Sequence, residues 1–350
     1  MAFQMYDLVT MLDVLYNIKR PNPFWLKFYG RQINFTTDKI AFDRVNSDYR
    51  RMAPFVVHNV QGKVYTREGY DTVEFAPAYS KPKHIVDPNQ ILTRQPGETY
   101  ITGSLSPAQR RDAVIAEILD RHTSMHLMTQ EWLAARALID GEVTIQGDDY
   151  PLTLIDFRRD ASLTSILSGG AKWDQPTANP LNDIYTMRNQ VRVLCGATVT
   201  DVIFGRDAWA QFIARTDVKA LLNTLIRGSE TTISLVIDNF EDASEFLGEL
   251  RGSGGNGSLR LWLYSGKYRD QAGVLQDMLD PGTVVGIAPS AFAGVRCFGA
   301  IKDADAEFQA LEIFPKLWRN EDPPCEYLMS QSAPLMVPGQ PNASFSIKVV

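Results

Sequence analysis

The stretch EFAPAYSKPKHIVDP, residues 74–88, decides how the rest of the chain is read. Pro77, Pro82 and Pro88 each fix φ and remove a backbone donor, so no helix and no central strand is expected here. The residue before each proline is pushed to an extended conformation as well. Immediately upstream, PFVVHNVQGKVYTREGYDTV (54–73) alternates as a strand, a turn and a second strand, with Gly62 and Gly69 where turns fall. Together the two segments predict an extended, polar projection of roughly forty residues with almost nothing that could be core. An unpaired extended edge is a template for another chain. Such a projection needs a neighbour.

Downstream lies the clearest helix of the sequence, from Ser106 to about Asp140. Ser106 is a good N-cap and Pro107 suits the first helical position. Ile115, Ile118, Leu119, His122, Met125, Met128, Trp132, Leu133 and Ile139 recur at three- and four-residue spacing. Gly141 closes it. At 1.5 Å per residue this is a spine of roughly 50 Å, far above the mean helix length. GEVTIQGDDYPLTLIDF (141–157) then reads as a hairpin across a Gly-Asp-Asp turn.

Residues 158–185 read as loop, with Gly169, Gly170, Pro176 and Pro180. From 186 short helices alternate with short apolar strands. ATVTDVIFG (197–205), TTISLVID (231–238), SLRLWLY (258–264) and TVVGIA (283–288) are the strand candidates, with DAWAQFIART and EDASEFLGEL as helices between them. The end of the chain, 325–350, has two strand-like pieces around VPGQPN. At the other end a short amphipathic stretch (Tyr6 to Ile18) precedes FWLKFYG (24–30). Phe24, Trp25, Leu26, Phe28 and Tyr29 make it a sticky segment with two readings: a helix docked on the chain's own core, or an arm packed on an adjacent subunit.

Composition narrows the classes. At 350 residues, length suggests two or three domains, and 22% charged content is ordinary for a globular protein. No apolar run reaches membrane-spanning length, and the N-terminus lacks the pattern of a secretory signal. Cys195, Cys297 and Cys325 are odd in number and far apart, which argues for a reducing compartment and against a disulfide framework. A net charge of −6 argues against a DNA-binding module, whose balance is normally basic.

Candidate chemistry is sparse. His122 and His126 stand four apart, but HTSMH lacks the glutamate of a zincin helix, and packing or hydrogen bonding is the simpler role. RGSGGNGS (251–258) precedes a strand and lacks a Gly-Lys-Ser/Thr ending, so it reads as a surface loop rather than a phosphate cradle. Asp303 and Asp305 have Lys302 beside them but no histidine or cysteine, and such a carboxylate pair is mostly structural. Ser162, Ser165 and Ser168 sit in no nucleophile elbow. No hydrolase constellation, cofactor site or metal site is expected.

Several strings nevertheless resemble one known family, the lambda-type tailed-phage major capsid (head) proteins, capsid protein E. They are NFTTDKI (34–40), PFVVHNVQGKV (54–64), the 74–88 stretch, SGGAKW (168–173), IKDADA (301–306), FPKLW (314–318) and QSAPLM (331–336), collinear along the chain. The resemblance implies an α+β tailed-phage capsid fold in four parts: an N-terminal arm (1–50), an extended β-hairpin loop (51–92), a peripheral domain with the spine helix and hairpin (93–185, with 325–350 returning to it), and an α/β axial domain (186–324). It implies a shell-building role and no catalytic site. The expected subunit contacts are Phe24, Trp25, Phe28, Tyr29, Lys63, Phe75, Tyr79, Lys81, Lys83 and His84. The bland role of Lys63, Lys81 and Lys83 is to make salt bridges and solvate the projection; no partner for a covalent crosslink is evident.

The partners so implied are further copies of the chain in pentamers and hexamers, a scaffold, a decoration protein and a portal, with no membrane. The expected place is the virion head, assembled in the bacterial host cytoplasm. Mild negative charge suits a container for double-stranded DNA that must not trap the genome on its wall. A nanocompartment shell of the same fold, or an α/β enzyme built on 186–324, are the alternative readings.

Overall fold

The computed structural model describes residues 23–37, 39–45, 52, 53, 55, 58, 61, 70–93, 106–147, 150–223, 243–251, 258–322 and 324–350. The Tyr6–Ile18 stretch, most of 54–69, the 231–238 strand candidate and nearly all of RGSGGNGS lie outside them.

The spine helix runs Pro107–Ile139. Its start is a reciprocal capping box: the Ser106 side chain accepts from the Gln109 amide, and the Gln109 side chain accepts from the Ser106 amide. At its end Gly141 takes φ +75°, the left-handed turn that glycine adopts without strain. The Arg159 guanidinium donates to the Leu138 and Ile139 carbonyls, satisfying orphan acceptors at the negative end of the helix dipole.

The two halves of this helix serve different cores. Val114, Ile115, Ile118 and Leu119 join Val86, Ile313 and Leu328 in a small cluster. Leu133, Ala134, Ala137, Leu138 and Ile139 belong to the main core. Between them the buried helical positions turn polar: His122, Thr123, His126 and Gln130.

Among the described residues the largest sheet has six strands, in the order 164–166, 344–348, 283–287, 201–204, 258–264, 244–251. Its central strands, Asp201–Phe204 and Thr283–Ile287, are buried at every position, as near-continuous apolar strands covered on both faces must be. The C-terminal strand Ser344–Lys348 pairs antiparallel with Thr283–Ile287. Gly286 is required there, because a Cβ would enter the buried ring of Phe345. A three-stranded sheet joins Phe314–Asn320, Cys325–Gln331 and, at one edge, Lys83–Val86. The hairpin after the spine pairs Glu142–Gly147 with Tyr150–Asp156.

Most predicted elements are present, and three expectations are corrected. EDASEFLGEL is not a helix: Ser244–Arg251 is an edge strand paired antiparallel with Ser258–Tyr264, and it buries Leu247 and Leu250. Its helical appearance came from good helix formers, and sheet pairing overrode that propensity. Residues 158–185 are not all loop. Thr164–Ile166 is a strand, and a helix Pro180–Cys195 starts at the proline, capped by Asn179 and stopped by Gly196 at φ +79°. Finally, 74–88 does bury part of itself on its own chain. Pro77 and Val86 are buried, and Lys83–Val86 is an edge strand, the place in a sheet where flanking prolines are tolerated. Upstream, Tyr70–Phe75 pairs with Ile40–Val45, so the ribbon at the base of the projection draws one strand from the expected arm.

Candidate functional site

The residues expected to act in contacts fall into two groups, and the structure does not bring them to one patch. Phe24, Trp25 and Tyr29 are buried in the main core, with Phe28 half-buried beside them. The docked reading of FWLKFYG describes this placement. Trp25–Phe28 is a single 3-10 turn rather than an α-helix. The Glu131 carboxylate of the spine accepts the amides of Trp25 and Leu26 at 2.7 and 3.0 Å, one on each oxygen. Burial pushes the Glu131 carboxyl up, and the Trp25, Leu26 and Phe24 amides oppose that shift. The Tyr29 hydroxyl donates to the Ala134 carbonyl, and the Lys27 ammonium lies 3.6 and 3.7 Å from the Phe24 and Trp262 ring centres.

The second group lines the root of the projection. Phe75 packs edge-on to Phe157, and the Tyr79 hydroxyl donates to the Ala300 carbonyl. Lys81 is exposed, with its ammonium 5.0 Å from the Tyr79 ring centre. Strand alternation sends Lys83 and Ile85 outward and His84 and Val86 inward. Outward, Lys83 lies 3.8 Å over Tyr327, which stacks on Trp318. Ile85, 52% exposed, extends this face, and Phe55, further along the projection, is 93% exposed. Lys63 lies outside the described residues.

Inward, His84 Nδ1 is 2.7 Å from His122 Nε2, and His126 Nε2 is 2.8 Å from the Ser330 hydroxyl. Burial pushes both His122 and His126 down to about 4; the neighbouring His84 and Arg121 add to the effect on His122, and His122 adds to that on His126. Beside this seam Arg111 pairs with Glu326 at 2.9 Å. Asp303 caps the short turn Ala304–Ala306, and both Asp303 and Asp305 bind Lys316. These aspartates therefore hold a loop together, through a lysine that sequence order had hidden.

Sequence reasoning missed Glu131, Arg159 and Ser330. Glu131 had one legible signal: it precedes WLAARALI, a run too apolar to leave a free face. Arg159 and Ser330 had none.

A spine helix with a hairpin at its end, a mixed sheet and an extended segment at 74–88 that leaves Ile85 exposed form the tailed-phage capsid fold. Among solved structures, the crystal structure of a prophage capsid protein from Escherichia coli CFT073 superposes with a TM-score of 0.74 at 26% identity, covering 99% of each chain. A phage-related protein from Bordetella bronchiseptica shares the fold at a TM-score of 0.50 and 13% identity, covering 97% of this chain and 96% of that one. The chain belongs to the family of phage major capsid protein E, which matches residues 7–349. The major capsid protein of Escherichia phage lambda is 29% identical over 336 residues, 94% of each chain. That of Enterobacteria phage P21 is 28% identical over 331 residues, 92% of each.

Proposed function

We infer that copies of this chain close into the icosahedral shell of a tailed-phage or prophage head that encloses double-stranded DNA. The observation that carries this reading is full-length membership of one capsid family, supported by a fold that leaves apolar side chains uncovered. Phe55, Ile85, Leu92, Leu152 and Leu154 are exposed along the projection and the hairpin, and cover from a neighbouring copy would remove them from water. The work is geometric rather than catalytic. Each contact can be weak, because closure ties every subunit to several others, and weak contacts let assembly errors dissociate.

The finer reading follows the family. An arm (1–50), a loop (51–92), a peripheral domain (93–185 with 325–350) and an axial domain (186–324) divide the labour, with Thr164–Ile166 and Ser344–Lys348 joining the sheet of the axial strands and with pentamers and hexamers as the building units. Contacts with neighbours fall to Lys81, Lys83 and the exposed residues Phe55 and Ile85, and to Lys63 by resemblance. The aromatics at 24–29, spent on the core, set where the arm leaves the body. A scaffold, a decoration protein and a portal complete the head in the host cytoplasm.

Electron microscopy of negatively stained protein, paired with sedimentation velocity over rising concentration, tests the reading. Closed shells, tubes or five- and six-fold rings are expected, alone or with a co-expressed scaffold. A compact monomer that persists under both conditions sinks it.

A further inference from the structure

Three of the chain's four histidines meet where the root strand Lys83–Val86 crosses the spine helix. They occupy the polar seam between the two cores. On the helix side are His122, Thr123, His126 and Gln130, and opposite them Ser330, all buried. A seam without apolar continuity is held by directional bonds, and directional bonds can be switched. We propose that His84, His122 and His126 form a proton-operated latch that fastens the root of the projection to the spine helix and releases it on acidification.

The chemistry follows from the ring nitrogens. A neutral imidazole offers one donor and one acceptor, and the His84–His122 contact needs one of each. Two protonated rings offer only donors, so the contact becomes a repulsion of like charges 4.8 Å apart between ring centres. The charges that act on the rings are those of Arg121 and of one another, and all of them oppose protonation. Ser330 faces the cluster from the strand Cys325–Gln331. Glu326 on that strand is engaged by Arg111, Asp87 turns to the Asn89 amide, and Lys83 lies on the opposite face over Tyr327.

The latched state holds His122 and His126 well below their open-state range, so the open state binds more protons at intermediate pH. The latch is therefore at full strength above about pH 6.5 and is lost progressively as pH falls toward about 4.

The experiment is hydrogen–deuterium exchange of the full chain between about pH 7 and about pH 4.5, corrected for intrinsic exchange. Peptides covering 83–86 and 325–331 should lose protection relative to those covering 201–204 and 283–287. The excess should be up to about tenfold per pH unit for each proton taken up. In a His84→Asn, His122→Gln chain, which keeps polar partners and leaves only His126 to titrate in the seam, that excess should fall to at most the share of one proton. Parallel loss in all four segments, or an undiminished acid-selective loss in the variant, overturns the proposal. Should the variant misfold, NMR titration of the ring protons in the unaltered chain decides, with the urea-unfolded chain as the reference. Two rings titrating far below that reference support the latch, and ordinary midpoints for His84, His122 and His126 refute it. The readout concerns the chain's own interior, so a negative result leaves the shell reading untouched.

Discussion

Glu131 shows how much one side chain can decide. Its two oxygens each take one backbone amide of the 3-10 turn Trp25–Phe28, so the carboxylate is both a helix cap and a tether across more than a hundred residues. Glu131→Ala leaves two buried donors unpaired and should cost about 3 kcal/mol. Glu131→Gln retains one acceptor but turns an amide NH₂ toward the second N–H. It also removes a buried charge, so its cost should be smaller, about 1–2 kcal/mol. Urea denaturation followed by tryptophan fluorescence measures both; equal costs would show that a single retained acceptor oxygen contributes nothing.

At the scale of the element, the spine helix depends unequally on its two ends. The capping box at Ser106 is exposed, so Ser106→Ala should cost about 1 kcal/mol and fray only the first turn. Exchange of the 107–110 amides should rise while the helix centre stays protected. The far end is built in. A Cβ at Gly141 would lie 2.9 Å from both Cβ and Nε of Arg159, in a backbone conformation that already disfavours it. Arg159 in turn bonds the last helical carbonyls and the Thr164 hydroxyl. Gly141→Ala should therefore lower stability by about 2 kcal/mol and Tm by several degrees, more than the loss of the N-cap. Scanning calorimetry of the two variants gives the order.

For the whole molecule, the six-stranded sheet is the largest among the described residues. It draws strands from residue 164 to residue 348, so its completion waits for the end of the chain. Gly286→Val places a branched side chain where the Phe345 ring sits, between the two central partners of that sheet. The C-terminal strand should fail to dock and the protein should be recovered largely as aggregate. The soluble fraction after expression is the measurement, and wild-type yield would mean that Phe345 can move aside. Shells should be absent from this variant because its fold is lost. Removal of an exposed contact such as Ile85→Ser should instead leave a soluble chain that assembles less well.

What the amino-acid sequence determined by itself was whatever is coded over short range. The spine helix, its proline and glycine ends, the hairpin after it and three of the apolar strands follow from capping, turn chemistry and periodicity within a few residues. The collinear strings carried the family. The tertiary structure decided what depends on a distant partner: that 244–251 pairs as a strand against its helical composition, and that 24–29 enters the chain's own core. It also decided that Glu131 receives backbone amides and that three histidines form one seam. Local patterns reflect the energetics of neighbouring residues, which the sequence displays. The identity of a buried polar group's partner is set by which elements dewet it together, and that is known only once the chain has folded.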